Sequence, residues 1–175
     1  MRFFLPFILL LFATRLPAQA NSDTLYSLGF VAKRGLPGHA FVVWEKSATG
    51  ATKPHQVAAF GLYPKSRVHA AFSVFSSVAG FLRPEWKQPA DSASTRLKML
   101  RILVTKTQFE AALQIRENWV REGRYRLFVH DCVTFMYTVA REVGLAVPER
   151  LLVTYSPIRY WHKFRFLYQR QTGNS

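Results

Sequence analysis

The sequence predicts an α+β fold: an antiparallel sheet packed against a helix that begins at Cys132, with one further helix beside it. Two observations carry this. Between positions 22 and 104, short runs rich in β-branched and aromatic residues alternate with clusters of Gly, Pro, Ser and Thr, as strands alternate with their turns. Beyond position 106, two segments place apolar residues three and four apart behind capping residues, the signature of amphipathic helices.

The first twenty residues stand apart from this pattern. Arg2 supplies a short positive start, Phe3 to Ala13 is an almost wholly apolar run, and Ala18-Gln19-Ala20 offers small residues where a signal peptidase reads. The run is about eleven residues, against about twenty needed to cross a bilayer. Residues 1–20 therefore read as a signal peptide and 21–175 as one exported domain of about 155 residues, enough for a single core. No cysteine lies near the cut, so lipid attachment there is excluded. The 49% hydrophobic and 15% aromatic content calls for a packed globule rather than a disordered chain.

The strands follow in order. Ser22 to Phe30 holds the first, and Arg34-Gly35-Leu36-Pro37-Gly38 is a turn. His39-Ala40-Phe41-Val42-Val43-Trp44-Glu45 is a strand by its β-branched and aromatic content, and Lys46 to Pro54 closes a hairpin. Gln56 to Gly61 is the return strand, ended by Tyr63-Pro64. Lys65 to Arg83 fits either a strand pair or an irregular crossover, and Arg83 to Pro89 is a turn-rich connector. Leu97 to Val104 alternates as another strand.

Two helices close the fold. Thr107 and Glu110 have capping-box spacing, and the helix they open puts Phe109, Ala112, Leu113, Trp119 and Val120 on one face before stopping at Gly123. Asp131 is the N-cap of the second, which runs to Gly144 with Cys132, Met136, Val139, Ala140 and Val143 on its inner face. From Tyr155 to Arg170, aromatic residues interleave with basic ones. That tail either docks on a membrane interface or packs its rings on the core and exposes its charges.

The sequence carries 24 basic and 10 acidic residues, a formal charge of +14; without Arg2 and Arg15 it is +12. Outside the cytoplasm such a charge attracts membrane head groups and anionic envelope polymers, not nucleic acid. No His, Cys and carboxylate cluster has metal-ligand spacing, and no cofactor is expected.

Cys132 is the only cysteine, so it forms no internal disulfide. At a helix start the dipole and the terminal amides favour the thiolate, the nucleophilic form, whereas a buried thiol is simply a small hydrophobe. A nucleophile needs a base, and His39 is presented by Pro37-Gly38 at the first position of a strand. His130, two residues before the cysteine, either lines the site or covers it. His55, His69 and His162 read as surface residues.

Gly38-His39-Ala40-Phe41-Val42-Val43-Trp44, then Phe60-Gly61-Leu62-Tyr63-Pro64, then His130-Asp131-Cys132-Val133-Thr134-Phe135 resembles the circularly permuted branch of the NlpC-type papain-like hydrolases. That branch includes relatives of lecithin–retinol acyltransferase. In it the histidine strand precedes the cysteine helix, as His39 precedes Cys132. The resemblance spans roughly residues 35 to 160. It implies a permuted papain-like fold, Cys132 as nucleophile, His39 as general base and the Cys132 backbone N–H in the oxyanion hole. Many relatives carry Asn where this chain has Asp131, whose carboxylate, as an N-cap, would point at backbone amides rather than at the thiol.

The family's third polar residue lies on the strand after the histidine, where this chain has Ala58 and Ala59. The polar residues near them are His55, Gln56 and Tyr63, and His55 is the candidate taken for the third catalytic position. The implied activity is an exported thiol hydrolase cleaving an amide in a peptide or cell-wall peptide, through an acyl-enzyme. An anionic envelope component is the expected substrate. Two alternatives share the fold: an acyltransferase or lipid esterase in peripheral contact with a membrane, and an inactive binding module, for which Ala58 and Ala59 speak.

Overall fold

The computed structural model describes residues 24–35, 38–85, 97–149 and 156–173. The predicted signal peptide, part of the 34–38 turn and residues 86–89 of the connector lie outside them. Strands β1 (Thr24–Lys33), β2 (His39–Ala48), β3 (His55–Pro64), β4 (Val78–Pro84), β5 (Leu97–Val104) and the short β6 (Arg124–Tyr125) form one sheet. Their order is β5-β1-β2-β3-β4-β6, and every neighbouring pair is antiparallel. Four helices accompany it: α1 (Arg67–Phe72), α2 (Lys106–Glu122), α3 (Cys132–Glu142) and α4 (Pro157–Thr172).

The fold is therefore α+β as expected, with two helices more than the sequence pattern predicted. One is α1, in the segment that fitted either a strand pair or a crossover; β4 takes the rest. The other is α4, formed by the basic aromatic tail. Tyr160, Trp161 and Phe164 of α4 are buried, and the Trp161 indole N–H donates to the Phe30 carbonyl at 2.9 Å. Those three rings serve the core, while Phe166 stays exposed.

Strand alternation divides the sheet. Leu28, Phe30, Ala40, Val42, Trp44, Phe60 and Leu62 point to the side on which Phe109 and Ala112 of α2, the buried face of α3, and Tyr160 and Phe164 of α4 complete the main core. Val31, Phe41, Val43 and Ala59 form a smaller cluster on the other side. Glu45 is buried too, but paired: Ser27 donates to it at 3.1 Å and Arg101 binds both of its oxygens, at 2.5 and 3.0 Å. That bidentate pairing offsets the cost of a buried carboxylate.

The N-cap of α2 lies two residues before the predicted one. Thr105 is the N-cap and Gln108 the capping-box partner, so the same motif is written two residues earlier, with Gln in place of Glu. Gly123 ends the helix in the left-handed conformation, as predicted. Val120, expected on the inner face, is exposed. No helix among the described residues is long and apolar enough to cross a membrane.

Candidate active site

Cys132 and His39 line one cavity of about 360 Å³. Gly38, Leu62, Tyr63, Pro64, Ala70, Ser73, Tyr125 and Leu127 complete its walls. Cys132 is 8% exposed at the first position of α3. The local sequence holds it there firmly. Asp131 is 3% exposed, and one carboxylate oxygen accepts from the Val133 and Thr134 amides at 3.0 and 2.9 Å and from the Thr134 hydroxyl at 3.1 Å. Its other oxygen accepts from the Phe128 amide at 2.8 Å. The carboxylate is thus committed to backbone, as an N-cap, and a cap of this kind contributes about 0.5–2 kcal/mol.

The bond to Phe128 has a second consequence. Phe128 has φ 71, the one left-handed non-glycine among the described residues. It lies in the tight turn closed by paired Arg126–His130 backbone bonds of 2.9 and 2.7 Å. Such a conformation costs about 1–3 kcal/mol and persists where neighbouring contacts impose it. Here the helix cap imposes it, and the turn enters α3 along a single path.

His39 is placed by two glycines. Gly38 has φ 76, a conformation that side-chain-bearing residues rarely adopt, and so turns the chain into β2 without strain. Gly61, on β3, leaves bare sheet where the imidazole lies: a Cβ there would overlap the His39 ring nitrogen Nε2 and sit 2.8 Å from Cε1. The ring stacks on Tyr63 with centroids 4.1 Å apart. Residues 39, 59, 61 and 63 share the sheet side opposite α3. His39 still reaches the cavity because it is the first residue of its strand, where the sheet ends.

A carboxylate that sequence reasoning missed completes the cluster. Glu85, directly after β4, brings Oε1 to 3.4 Å from His39 Nε2. The same oxygen accepts from the Tyr63 hydroxyl at 2.5 Å. The Glu85 backbone amide donates to the Ala59 carbonyl at 2.8 Å, which anchors the residue across β3. Burial pushes the Glu85 carboxyl up, but the hydrogen bond from Tyr63 and the approach of His39, an ion-pair contact of 3.4 Å in which Nε2 makes no well-formed hydrogen bond, together with the charge of Arg83, outweigh it and hold the group below its ordinary value. Burial, and then the bond to Glu85, push the Tyr63 phenol far above its ordinary range, so it remains a donor. The charge of Arg83 opposes this rise, and a charge on Cys132 would add to it.

The remaining histidines fall elsewhere. His55 is exposed at the first position of β3, opposite Lys46 and at the far end of the strand from Tyr63. It is not among the cavity's walls, because the hairpin that begins β3 lies at the end of the sheet away from His39. Gln56 pairs with Glu45, and Ala58 and Ala59 are buried. His130 lies flat on Trp119, centroids 3.9 Å apart, and faces a different cavity with Ser77, Arg124, Arg126 and Val129. Burial lowers its pKa, and Glu122 at 3.4 Å opposes that without overcoming it. His69 binds the Ser66 hydroxyl at 2.6 Å, and His162 is exposed.

Glu85 could have been found from one signal only. It is the first acidic residue after Glu45, at the end of a strand in a long basic and neutral stretch. No protein-family model, no curated protein and no solved structure matches the chain.

Proposed function

We propose that the chain is an exported thiol hydrolase of permuted papain-like fold, with Cys132 as nucleophile, His39 as general base and Glu85 as the residue that orients the imidazole. The observation that carries this reading is the convergence on one cavity. A lone cysteine at a helix start and a histidine at a strand start share its walls, and a carboxylate faces the far nitrogen of that histidine. With Nε2 turned to Glu85, Nδ1 is the nitrogen left for the thiol proton. The three then repeat the nucleophile, base and orienter of a catalytic triad, which is recognised by roles rather than chain order. Glu85 speaks against an inactive binding module, since the residue after β4 offers a third polar group where β3 has alanines.

The chemistry follows. Cys132 Sγ adds to an amide carbonyl as His39 takes the thiol proton, and the oxyanion forms at the Cys132 backbone N–H, since the next two amides are taken by Asp131. His39 returns the proton to the amine as the C–N bond breaks, leaving a thioester. Water, deprotonated by His39, adds to the thioester carbon, and the C–S bond breaks to release the acid and restore the thiol. A peptide amide of an anionic cell wall suits the positive charge of the protein. One observation favours a second reading, in which the acyl group is fatty and the leaving group an alcohol. Leu62, Pro64, Ala70, Tyr125 and Leu127 make much of the cavity wall apolar. Release of amine from peptidoglycan or of fatty acid from phospholipid separates the two.

Iodoacetamide labelling across pH, read by mass spectrometry, tests the dyad. Wild-type Cys132 is expected to alkylate with an apparent pKa well below about 8.5, the free-thiol value, and His39→Ala to move it up toward that value. Alkylation that titrates near 8.5 in both proteins would sink the proposal.

Gly61→Ala tests the placement of the base. The added methyl occupies the site of His39 Nε2 and must push the ring off Glu85. Because a misplacement of about 1 Å can cost about 10²-fold in rate, a loss of that order in kcat/KM is expected with a preserved circular dichroism spectrum. A wild-type rate would show that the ring acts from some other position.

A further inference from the structure

The described surface carries its large exposed apolar side chains unevenly. Of eleven, seven fall in two short segments: Val68, Phe72, Val74, Phe75 and Phe81, with Phe128 and Val129. Phe75 is the extreme, 80% exposed. The segments are neighbours. The Leu127 amide donates to the Ser73 carbonyl at 3.0 Å, β4 pairs with β6, and Val129 shares a cavity with Ser77. Helix α1, which carries Val68 and Phe72, buries none of its residues. Single exposed apolar residues are ordinary, but a cluster of aromatic side chains around one short helix marks a contact surface.

Charge identifies the partner. From Lys46 to Pro84, and again from Gly123 to His130, the sequence contains no Asp or Glu. The same stretches supply the exposed Lys65, Arg67, Arg83 and Arg126 on the segments that carry the apolar cluster, while Arg124 is paired with Glu122 at 3.0 Å. Aromatic side chains inside a basic rim match the interface of an anionic bilayer, where rings sit among the head groups and cations meet the phosphates. We infer that α1, the loop after it and the 126–130 turn form a docking surface for an anionic lipid surface. The half-buried Ala70 and Leu127 of this surface, with the buried Ser73 beneath it, also line the Cys132 cavity, so docking would set that cavity close to the lipid. This assigns membrane contact to α1 and its neighbours instead of the C-terminal basic aromatic helix. It stands whether or not Cys132 is a nucleophile.

The test attaches an environment-sensitive nitrobenzoxadiazole dye at residue 75, in a Cys132→Ser/Phe75→Cys chain. Phe75 is so exposed that its replacement does not disturb packing. A control chain carries the dye at residue 103 (Cys132→Ser/Leu103→Cys) on β5, the opposite edge of the sheet. Vesicles of phosphatidylcholine with about one-third phosphatidylglycerol are expected to blue-shift and brighten the dye at 75 but not at 103. Pure phosphatidylcholine should do neither. Arg67→Glu/Arg126→Glu is expected to weaken the response about tenfold or more, since each cation near an anionic surface contributes about 1 kcal/mol. The inference is overturned if anionic vesicles leave the dye at 75 unchanged, or shift both positions equally. It is also overturned if the dye at 75 shifts with protein concentration alone, which would make the surface a contact between two copies.

Discussion

Cys132→Ala is expected to abolish turnover, with a fall of about 10⁴-fold or more in kcat, and His39→Ala to do nearly the same. The reason is that the two act as one unit: without the thiol there is no acyl-enzyme, and without the base the thiol keeps its proton. Their double substitution should therefore be no worse than either alone. Initial rates on the substrate that the wild type turns over, amide or ester, provide the measurement. Thermal melts should show that Cys132→Ala, which removes one sulfur from a buried site, leaves the protein folded. Full activity in Cys132→Ala would end the covalent mechanism. Effects that simply multiply in the double variant would argue that the two residues act separately.

Glu85→Gln is expected to lower kcat by about 10²–10⁴-fold with little change in KM, as expected when a triad carboxylate becomes an amide and no longer holds the imidazole tautomer. Glu85 also binds Tyr63, so a purely structural role must be separated from a positioning one. A structural role alone would lower the melting temperature and leave the pH dependence of Cys132 alkylation where it was. A positioning role moves that alkylation curve upward in pH. The acid limb adds a second reading. Because the folded protein holds the Glu85 carboxyl below its ordinary value of 4.5, its contribution to stability is complete above that value and disappears as pH falls through the lowered one. The melting-temperature gap between wild type and Glu85→Gln should therefore be constant from neutral pH to about pH 4.5 and narrow below it. A gap that widened on acidification would contradict the assigned sign.

Much of the backbone was legible because its signals are local. The strand at 97–104 is where its alternation put it, and Asp131 caps α3 with the face Cys132, Met136, Val139, Ala140 and Val143 all buried. Gly123 stops α2 because a left-handed residue is needed there and glycine meets that need without strain. The two helices that were missed had weaker local signals. α1 is six residues long with no buried face, so it shows no apolar periodicity, and α4 opens with Pro157 and has no side-chain cap. The shift from Thr107 to Thr105 has the same origin. Two Thr residues stood two positions apart, each with a Glu or Gln three residues on, and only the observed bonds distinguish them.

The site divides along the same line. Sequence alone marked Cys132 and His39, because a helix start and a Gly-His strand start are properties of neighbouring residues. It also determined the charge and the absence of acids over 46–84, the source of the basic rim around α1. What only the tertiary structure decided is which carboxylate meets His39 and the vacancy that admits its ring. Glu85 meets His39 because β3 lies between β2 and β4, and because Gly61 of that middle strand has no side chain to keep them apart. His55 and Ala58 were nearer His39 in the chain, yet antiparallel pairing carries them toward the far end of the sheet. Proximity along a chain and proximity across strands are set by different forces. Backbone propensity governs the first, and the register of hydrogen-bonded neighbours governs the second.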